Sequence, residues 1–222
     1  MIKKNQDNNV LSRSFNLFGG TFDPIHYGHL LSVEDLSKRI GLKEIILLPN
    51  SYPSYKSHTV AEIKQRINMI KIAIKDNPLF KIDTREVLKK KFSHTVETLI
   101  SYRKEVGWNC SINFILGEDS IYSIDSWFKW EKLLELCNIL VCKRTIHNKK
   151  PKDDLRKWVR KYQSFCIDSL RIKKRGIIYF SNTKLFPFSS KEIRFRKKNK
   201  KNCAGMLPKK VLYYIDKYKI YQ

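Results

Sequence analysis

The sequence predicts an α/β protein, a Rossmann-like parallel sheet with helices on both faces, in a single domain. Three observations carry this reading. Short apolar runs of strand length alternate with segments of helical spacing along most of the 222 residues. The runs are continuous rather than alternating, as strands buried on both faces are. Segments rich in glycine and polar residues follow those runs, where an open parallel sheet places its ligand crevice.

The elements follow in order. Residues 15–18 form a first strand, and Leu30, Leu31, Val33, Leu36 and Ile40 give a helix over 30–40 stopped by Gly41. Residues 44–48, closed by Pro49 and Asn50, read as the next strand and complete a β-α-β unit. The loop 51–59 holds Tyr52, Tyr55, Lys56 and His58 and suits a segment lying over a ligand. A helix over 61–75 follows, with Ile63, Ile67, Ile70 and Ile74 on one face and Arg66 and Met69 as helix-face and core positions. Strands are expected at 80–83, 111–116, 139–142 and 176–180, and helices at 95–105 and 130–136. The stretch 146–176 is basic and polar, with partial helical spacing from Trp158, Val159, Tyr162 and Phe165, and reads as an insertion. The domain is expected to span 14–222 behind a disordered polar extension at 1–13 that has no apolar leader core.

A chain of this length can bury a full core, and its 42% apolar content fits a globular protein. No run approaches the roughly 18 apolar residues of a membrane span, so a cytoplasmic protein without a membrane partner is expected. The five cysteines contain no Cys-x-x-Cys pair and read as reduced, mostly buried thiols. The net charge is +24, and from Lys143 to Lys201 the chain holds 21 Lys and Arg against 4 acids. Such a field attracts nucleic acid by counterion release. The abundance of Lys, Asn and Ile also matches A/T-rich codons, and compositional drift with attraction of anionic substrates is the preferred account. Nucleic acid is expected only as a non-specific partner; oligomeric state, a homo-oligomer included, is left open.

The most informative stretch is Phe18-Gly19-Gly20-Thr21-Phe22-Asp23-Pro24-Ile25-His26-Tyr27-Gly28-His29-Leu30. A strand runs into paired glycines, then two histidines three apart, then a helix. The glycines allow close backbone approach to a polyphosphate, and a helix start presents N–H groups and the positive end of its dipole. His26 and His29 would bracket the same anion and donate to oxygens that gain charge as a phosphorus–oxygen bond changes partners. Other readings fit less well. A metal site would need an accompanying Cys, Asp or Glu set, a dinucleotide turn needs Gly-x-Gly-x-x-Gly, and a Walker loop needs Gly-Lys-Ser/Thr.

This segment resembles the His-x-Gly-His signature of the nucleotidyltransferases. Downstream motifs are similar to those of the bacterial nicotinate-nucleotide adenylyltransferase family. They are Ser93-His94-Thr95-Val96-Glu97-Thr98-Leu99, Gly117-Glu118-Asp119 after an apolar run, Trp127, the strand ending in Lys143-Arg144, and Phe188-Ser189-Ser190-Lys191-Glu192-Ile193-Arg194. Arg66 and Met69 also match a family Arg-x-x-Met pattern, beside their helix-face and core reading, and the likeness runs on to Leu207-Pro208, Val211 and Tyr214. Tyr55, His94 and Lys191 depart from the family pattern of histidine, tyrosine and threonine at those positions.

The resemblance implies transfer of AMP from ATP to nicotinate mononucleotide, with release of pyrophosphate. It implies His26, His29 and Arg194 as catalytic residues, with Gly19, Gly20, Thr21, Phe22, His29, Gly117, Asp119, Ser189, Ser190 and Arg194 binding ATP. Lys56, Thr95, Trp127 and Arg144 would bind the mononucleotide. Asp119 would accept from a ribose hydroxyl, or cap a helix before Ser120; Trp127 would stack on the pyridine ring, or pack in the core. Magnesium would bind mainly through the ATP phosphates, with no protein metal site. Pantetheine-phosphate or nicotinamide-mononucleotide transfer, and a basic nucleic-acid-binding protein, are the alternatives.

Overall fold

The computed structural model describes residues 14–51, 59–88, 93–144 and 151–222. The polar extension expected at 1–13, Lys56 with the rest of 52–58, and the first residues of the basic insertion lie outside the described residues.

The chain opens with β1 (Ser14–Gly20), α1 (Tyr27–Ile40), β2 (Ile45–Pro49), α2 (Ile63–Ile74) and β3 (Phe80–Ile82). It continues through α3 (Arg85–Leu88), α4 (Thr95–Val106), β4 (Ser111–Gly117), α5 (Glu118–Ile121), α6 (Leu133–Leu136) and β5 (Asn138–Cys142). After these come α7 (Asp153–Tyr162), β6 (Gln163–Ser164), α8 (Ser169–Ile172), β7 (Ile178–Ser181), α9 (Ser190–Lys198) and α10 (Lys209–Lys217). The strands form one parallel sheet in the order β3-β2-β1-β4-β5-β7-β6.

Continuous apolar strands produce two cores, one on each face, because successive side chains point opposite ways. Phe18, Leu47, Ile115 and Leu140 pack with α1, α2 and α10 on one face. Leu17, Leu48, Phe114 and Ile139 pack with α4, α6 and α7 on the other. At the start of the central strands, Asn113 donates to Asn16 (2.8 Å) and Asn138 to Asn113 (3.2 Å). These side chains are fully or almost fully buried, and a slip of one residue would break the ladder, so it favours a single register.

Several expected elements need correction. The helix expected from Leu30 begins one turn earlier at Tyr27; Gly41 does end it, with φ 76°. The helix expected over 130–136 is a 3-10 turn at Trp130–Lys132 leading into α6. The basic insertion is more regular than its composition suggests. It carries α7 on Leu155 and Val159, and β6 joins the sheet edge beside β7.

Strand order reverses between β1 and β4, since β2 and β3 extend the sheet to one side and β5, β7 and β6 to the other. Beyond the carboxyl ends of strands at such a switch point, the diverging connections leave a crevice.

Candidate active site

That crevice is a cavity of about 1300 Å³, larger than the roughly 300–1,000 Å³ of pockets that take one small ligand. Its walls include Gly19, Gly20, Thr21, Phe22, His29, Thr95, Gly117, Asp119, Trp127, Arg144, Ser189, Ser190 and Arg194. Residues predicted from motifs up to 175 positions apart therefore share one space.

The two histidines do not share the wall. His29 is partly exposed in the cavity, whereas His26 has no exposure at all and lies behind it as the N-cap residue of α1. The expectation that both bracket an anion is corrected: only His29 reaches the cavity, and the His26 ring stacks against it from behind. Burial pushes the His26 imidazole down to about 3, helped by the Arg144 charge. His29 is held well below its ordinary value by burial first, then by His26 and Arg144. Both rings are neutral near pH 7. Gly28 is required between them, because a Cβ there would lie 2.7 Å from the Phe188 carbonyl oxygen and 2.9 Å from the His26 ring.

The α1 start is less open than its sequence suggests. The Tyr27 amide donates to Met206, and the His29 and Leu30 amides donate to the His26 carbonyl. What α1 offers an anion is its dipole and the His29 ring. The paired glycines also act differently from expectation. A Cβ on Gly19 would strike the Phe114 ring at 2.8 Å and one on Gly20 the Phe22 ring at 2.8 Å, so their absent side chains make room for aromatic rings under the cavity. Phe22 takes φ 48°, an uncommon conformation for a bulky residue, and its ring meets His29 edge-on with centroids 5.1 Å apart.

The second helix start is the open one. Ser189 caps α9 by accepting from the Glu192 amide (3.1 Å), so the cap does not depend on position 191. Ser190 Oγ donates to the Pro24 carbonyl (2.9 Å), tying α9 to the β1–α1 loop and leaving the Ser190 and Lys191 amides as first-turn donors. Arg194 Nη1 donates to the Asp23 carbonyl (2.5 Å) and sits 3.8 Å from the Asp23 carboxylate.

Asp119 and Arg144, expected on different substrates, face each other with Arg144 Nη1 3.4 Å from both carboxylate oxygens. Asp119 is not a cap; Gly117 holds that position for α5. Trp127 stands edge-on to Phe114, centroids 6.2 Å apart. His94 caps α4 in a capping box with Glu97, and its ring lies 4.5 Å from that of Phe128. Thr95 opens the helix, at the cavity wall.

Several members had no settled role in sequence. Arg66, open between a family Arg-x-x-Met match and a helix-face position, is buried at 1% exposure and donates to the carbonyls of Thr21 (2.6 Å), Asn50 (2.9 Å) and Ser51 (2.9 Å). It joins the loops after β1 and β2, and an arginine on the buried face of an amphipathic helix was the available signal. Asn50 donates to Thr21 Oγ1 (3.3 Å). The Asp23 carboxylate accepts from the Val60 and Ala61 amides and from Tyr221 Oη.

Residues 17–196 match the cytidylyltransferase-like family. A relative from Yersinia enterocolitica, named "Probable nicotinate-nucleotide adenylyltransferase", is 40% identical over 209 residues, covering 94% of this chain and 95% of its own. The chain belongs to the nicotinate-nucleotide adenylyltransferase family. A Buchnera aphidicola relative of the same name is 42% identical over 210 residues, covering 93% and 97%. The structure of Plasmodium falciparum nicotinic acid mononucleotide adenylyltransferase complexed with NaAD matches with a TM-score of 0.68. It is 22% identical, covers 94% of this chain and 97% of that one, and supports the shared fold. Of the nicotinate-nucleotide adenylyltransferase motifs met in sequence, those at residues 18–29, 93–95, 117–120, 127, 144 and 188–194 contribute to the walls of one cavity, whereas Leu207 and Val211 pack in the core.

Proposed function

We infer that this protein transfers AMP from ATP to nicotinate mononucleotide, yielding nicotinate adenine dinucleotide and pyrophosphate. The observation that carries the reading is that anion donors (His29, Arg194, the α9 start) and an aromatic pocket around Trp127 and Thr95 line the same cavity at the strand switch point. Membership of the family supports the acid form of the acceptor.

A phosphate oxygen of the mononucleotide attacks the α-phosphorus of ATP. A bond to that oxygen forms as the bond to the β-bridging oxygen breaks, and pyrophosphate leaves with the electron pair. No protein nucleophile is needed, so the residues position the reactants and stabilise charge. His29, neutral, donates an N–H to an α-phosphate oxygen. The Gly19-Gly20-Thr21-Phe22 turn shapes the wall beside it, and the Ser190 and Lys191 amides with Arg194 hold the leaving phosphates. Ser189 and Ser190 act mainly by building that helix start. Asp119 accepts from a ribose hydroxyl while Gly117 gives close passage. Arg144 holds the mononucleotide phosphate, with Thr95 and Trp127 on the pyridine; Lys56 is assigned there by resemblance alone.

Among the described residues no group of three or more His, Cys, Asp or Glu side chains is arranged to hold a metal ion. The Asp23 carboxylate is occupied by two amides and a hydroxyl, and Asp119 faces Arg144. In this reading magnesium would bind through ATP phosphates and water, where it would neutralise phosphate charge. Among the described residues no helix is long and apolar enough to cross a membrane.

The test is pyrophosphate release with magnesium-ATP and, in parallel, nicotinate mononucleotide, nicotinamide mononucleotide and 4'-phosphopantetheine. Release with the acid form well above the other two is expected; equal or greater release with either of the others overturns the assignment.

A further inference from the structure

Tyr221, buried in the core, is tied to Asp23, a residue of the cavity wall. After α10, Lys219 and Tyr221 both take left-handed backbone conformations, with φ of 50° and 69°. For an aromatic residue this is a rare conformation costing on the order of 1–3 kcal/mol, and such outliers persist where the surrounding structure holds them. The reversal turns the Tyr221 side chain inward, where the residue is only 6% exposed and packs in the core beneath α1 and α2. Tyr221 Oη donates to Asp23 Oδ1 at 2.7 Å, across 198 positions of sequence.

Asp23 stands at the centre of four hydrogen bonds. Its Oδ1 also accepts from the Ala61 amide (3.1 Å), its Oδ2 accepts from the Val60 amide (3.0 Å), and its carbonyl accepts from Arg194 Nη1 (2.5 Å). Asp23 and Arg194 line the cavity together, with the next residue's carbonyl, on Pro24, held by Ser190 at the α9 start. We propose that Tyr221 is a positioning residue for phosphate transfer. Its hydroxyl fixes the Asp23 carboxylate, Asp23 fixes the guanidinium of Arg194, and Arg194 thereby meets the ATP phosphates already aligned. Burial and the neighbouring Asp23 raise the Tyr221 hydroxyl well above its ordinary value, so it remains a donor at working pH. The inference rests on the adenylyltransferase reading.

Tyr221→Phe removes only the hydroxyl and keeps the ring in its core position. With thermal midpoints checked so that each assay runs well below them, the variant is expected to lose about tenfold in kcat/KM for magnesium-ATP while KM for nicotinate mononucleotide holds. In an Arg194→Ala background the same substitution is expected to cost nothing further, because its effect passes through the guanidinium. A second probe, Asp23→Asn, removes the charge facing Arg194 and sets one new N–H against the amide or hydroxyl that the lost oxygen accepted from; with its thermal midpoint checked in the same way, it should impair ATP use without adding to the loss in Arg194→Ala. Full kcat/KM in Tyr221→Phe, or losses that simply add in the double variants, overturns the proposal. A wild-type enzyme active only with another acceptor fails the functional reading alone, since the cycle can be run with that acceptor.

Discussion

The imidazole rings of His26 and His29 lie stacked, their centroids 3.7 Å apart and their planes 28° from parallel. The inner ring is sealed in the core and the outer one meets the cavity, so a pair that looks equivalent in sequence divides into a support and a donor. Losing the donor should cost on the order of 10²–10³ in turnover, as at other preorganised anion sites. Steady-state rates of His29→Ala, measured beside its thermal midpoint, are expected to show that loss with a retained fold.

The sealed histidine also makes stability depend on pH. Unfolded, these imidazoles titrate near 6.5; folded, His26 resists protonation down to about 3 and His29 is shifted the same way. Below 6.5 the unfolded chain binds protons that the native state refuses. Stability is therefore complete above 6.5 and declines as pH falls toward 3, by up to ~1.4 kcal/mol per pH unit for each histidine. Urea unfolding at about pH 7, 6 and 5 should show a falling midpoint, and His26→Asn should flatten that slope.

Gly28 occupies a gap bounded by the Phe188 carbonyl and the His26 ring. A methyl group there must displace backbone on one side or the stacked pair on the other, which typically costs about 1–3 kcal/mol. Gly28→Ala should lower the denaturant midpoint accordingly and reduce turnover with it, because the displaced ring is the one that supports His29.

Arg66 ties the loops after β1 and β2 together from beneath the cavity. Replacing it with methionine keeps much of the volume but strands buried carbonyls that had a charged donor, at ~1–3 kcal/mol for each group left unsatisfied. Denaturant unfolding of Arg66→Met should register several kcal/mol, with a raised KM for ATP in the fraction that remains folded.

Trp127 offers the sharpest separation of the two substrates. If its ring carries the pyridine, Trp127→Ala should raise KM for nicotinate mononucleotide by the equivalent of about 1–3 kcal/mol of stacking while KM for ATP stays near its original value. Equal effects on both substrates would return Trp127 to a packing role against Phe114.

Much of this site was legible because its chemistry is local. The glycine–histidine stretch combines residue types whose geometry is set by near neighbours, while the Ser189-Ser190 helix start and the acidic turn after β4 were read from the family resemblance; each falls at the end of a strand or the start of a helix. Arg66 was visible as an arginine on an apolar helix face, but its partners were not. The basic insertion showed α7 only as partial helical spacing, because Leu155 and Val159 supply its apolar stripe amid charge, and two-residue β6 is too short to give a pattern. Tyr221 carried no signal at all, since its one polar partner lies 198 positions away.

From sequence alone come the alternation of strand and helix, the two-sided burial of the sheet, and the chemistry that converges beyond its strands. These follow from periodicity and residue type, which act over a few residues. Only the tertiary structure decided which histidine faces the cavity, that the paired glycines admit aromatic rings, and that the chain end closes on Asp23. Those outcomes depend on which groups meet when distant elements pack, and burial then sets whether a side chain serves as a donor, a support or a charge.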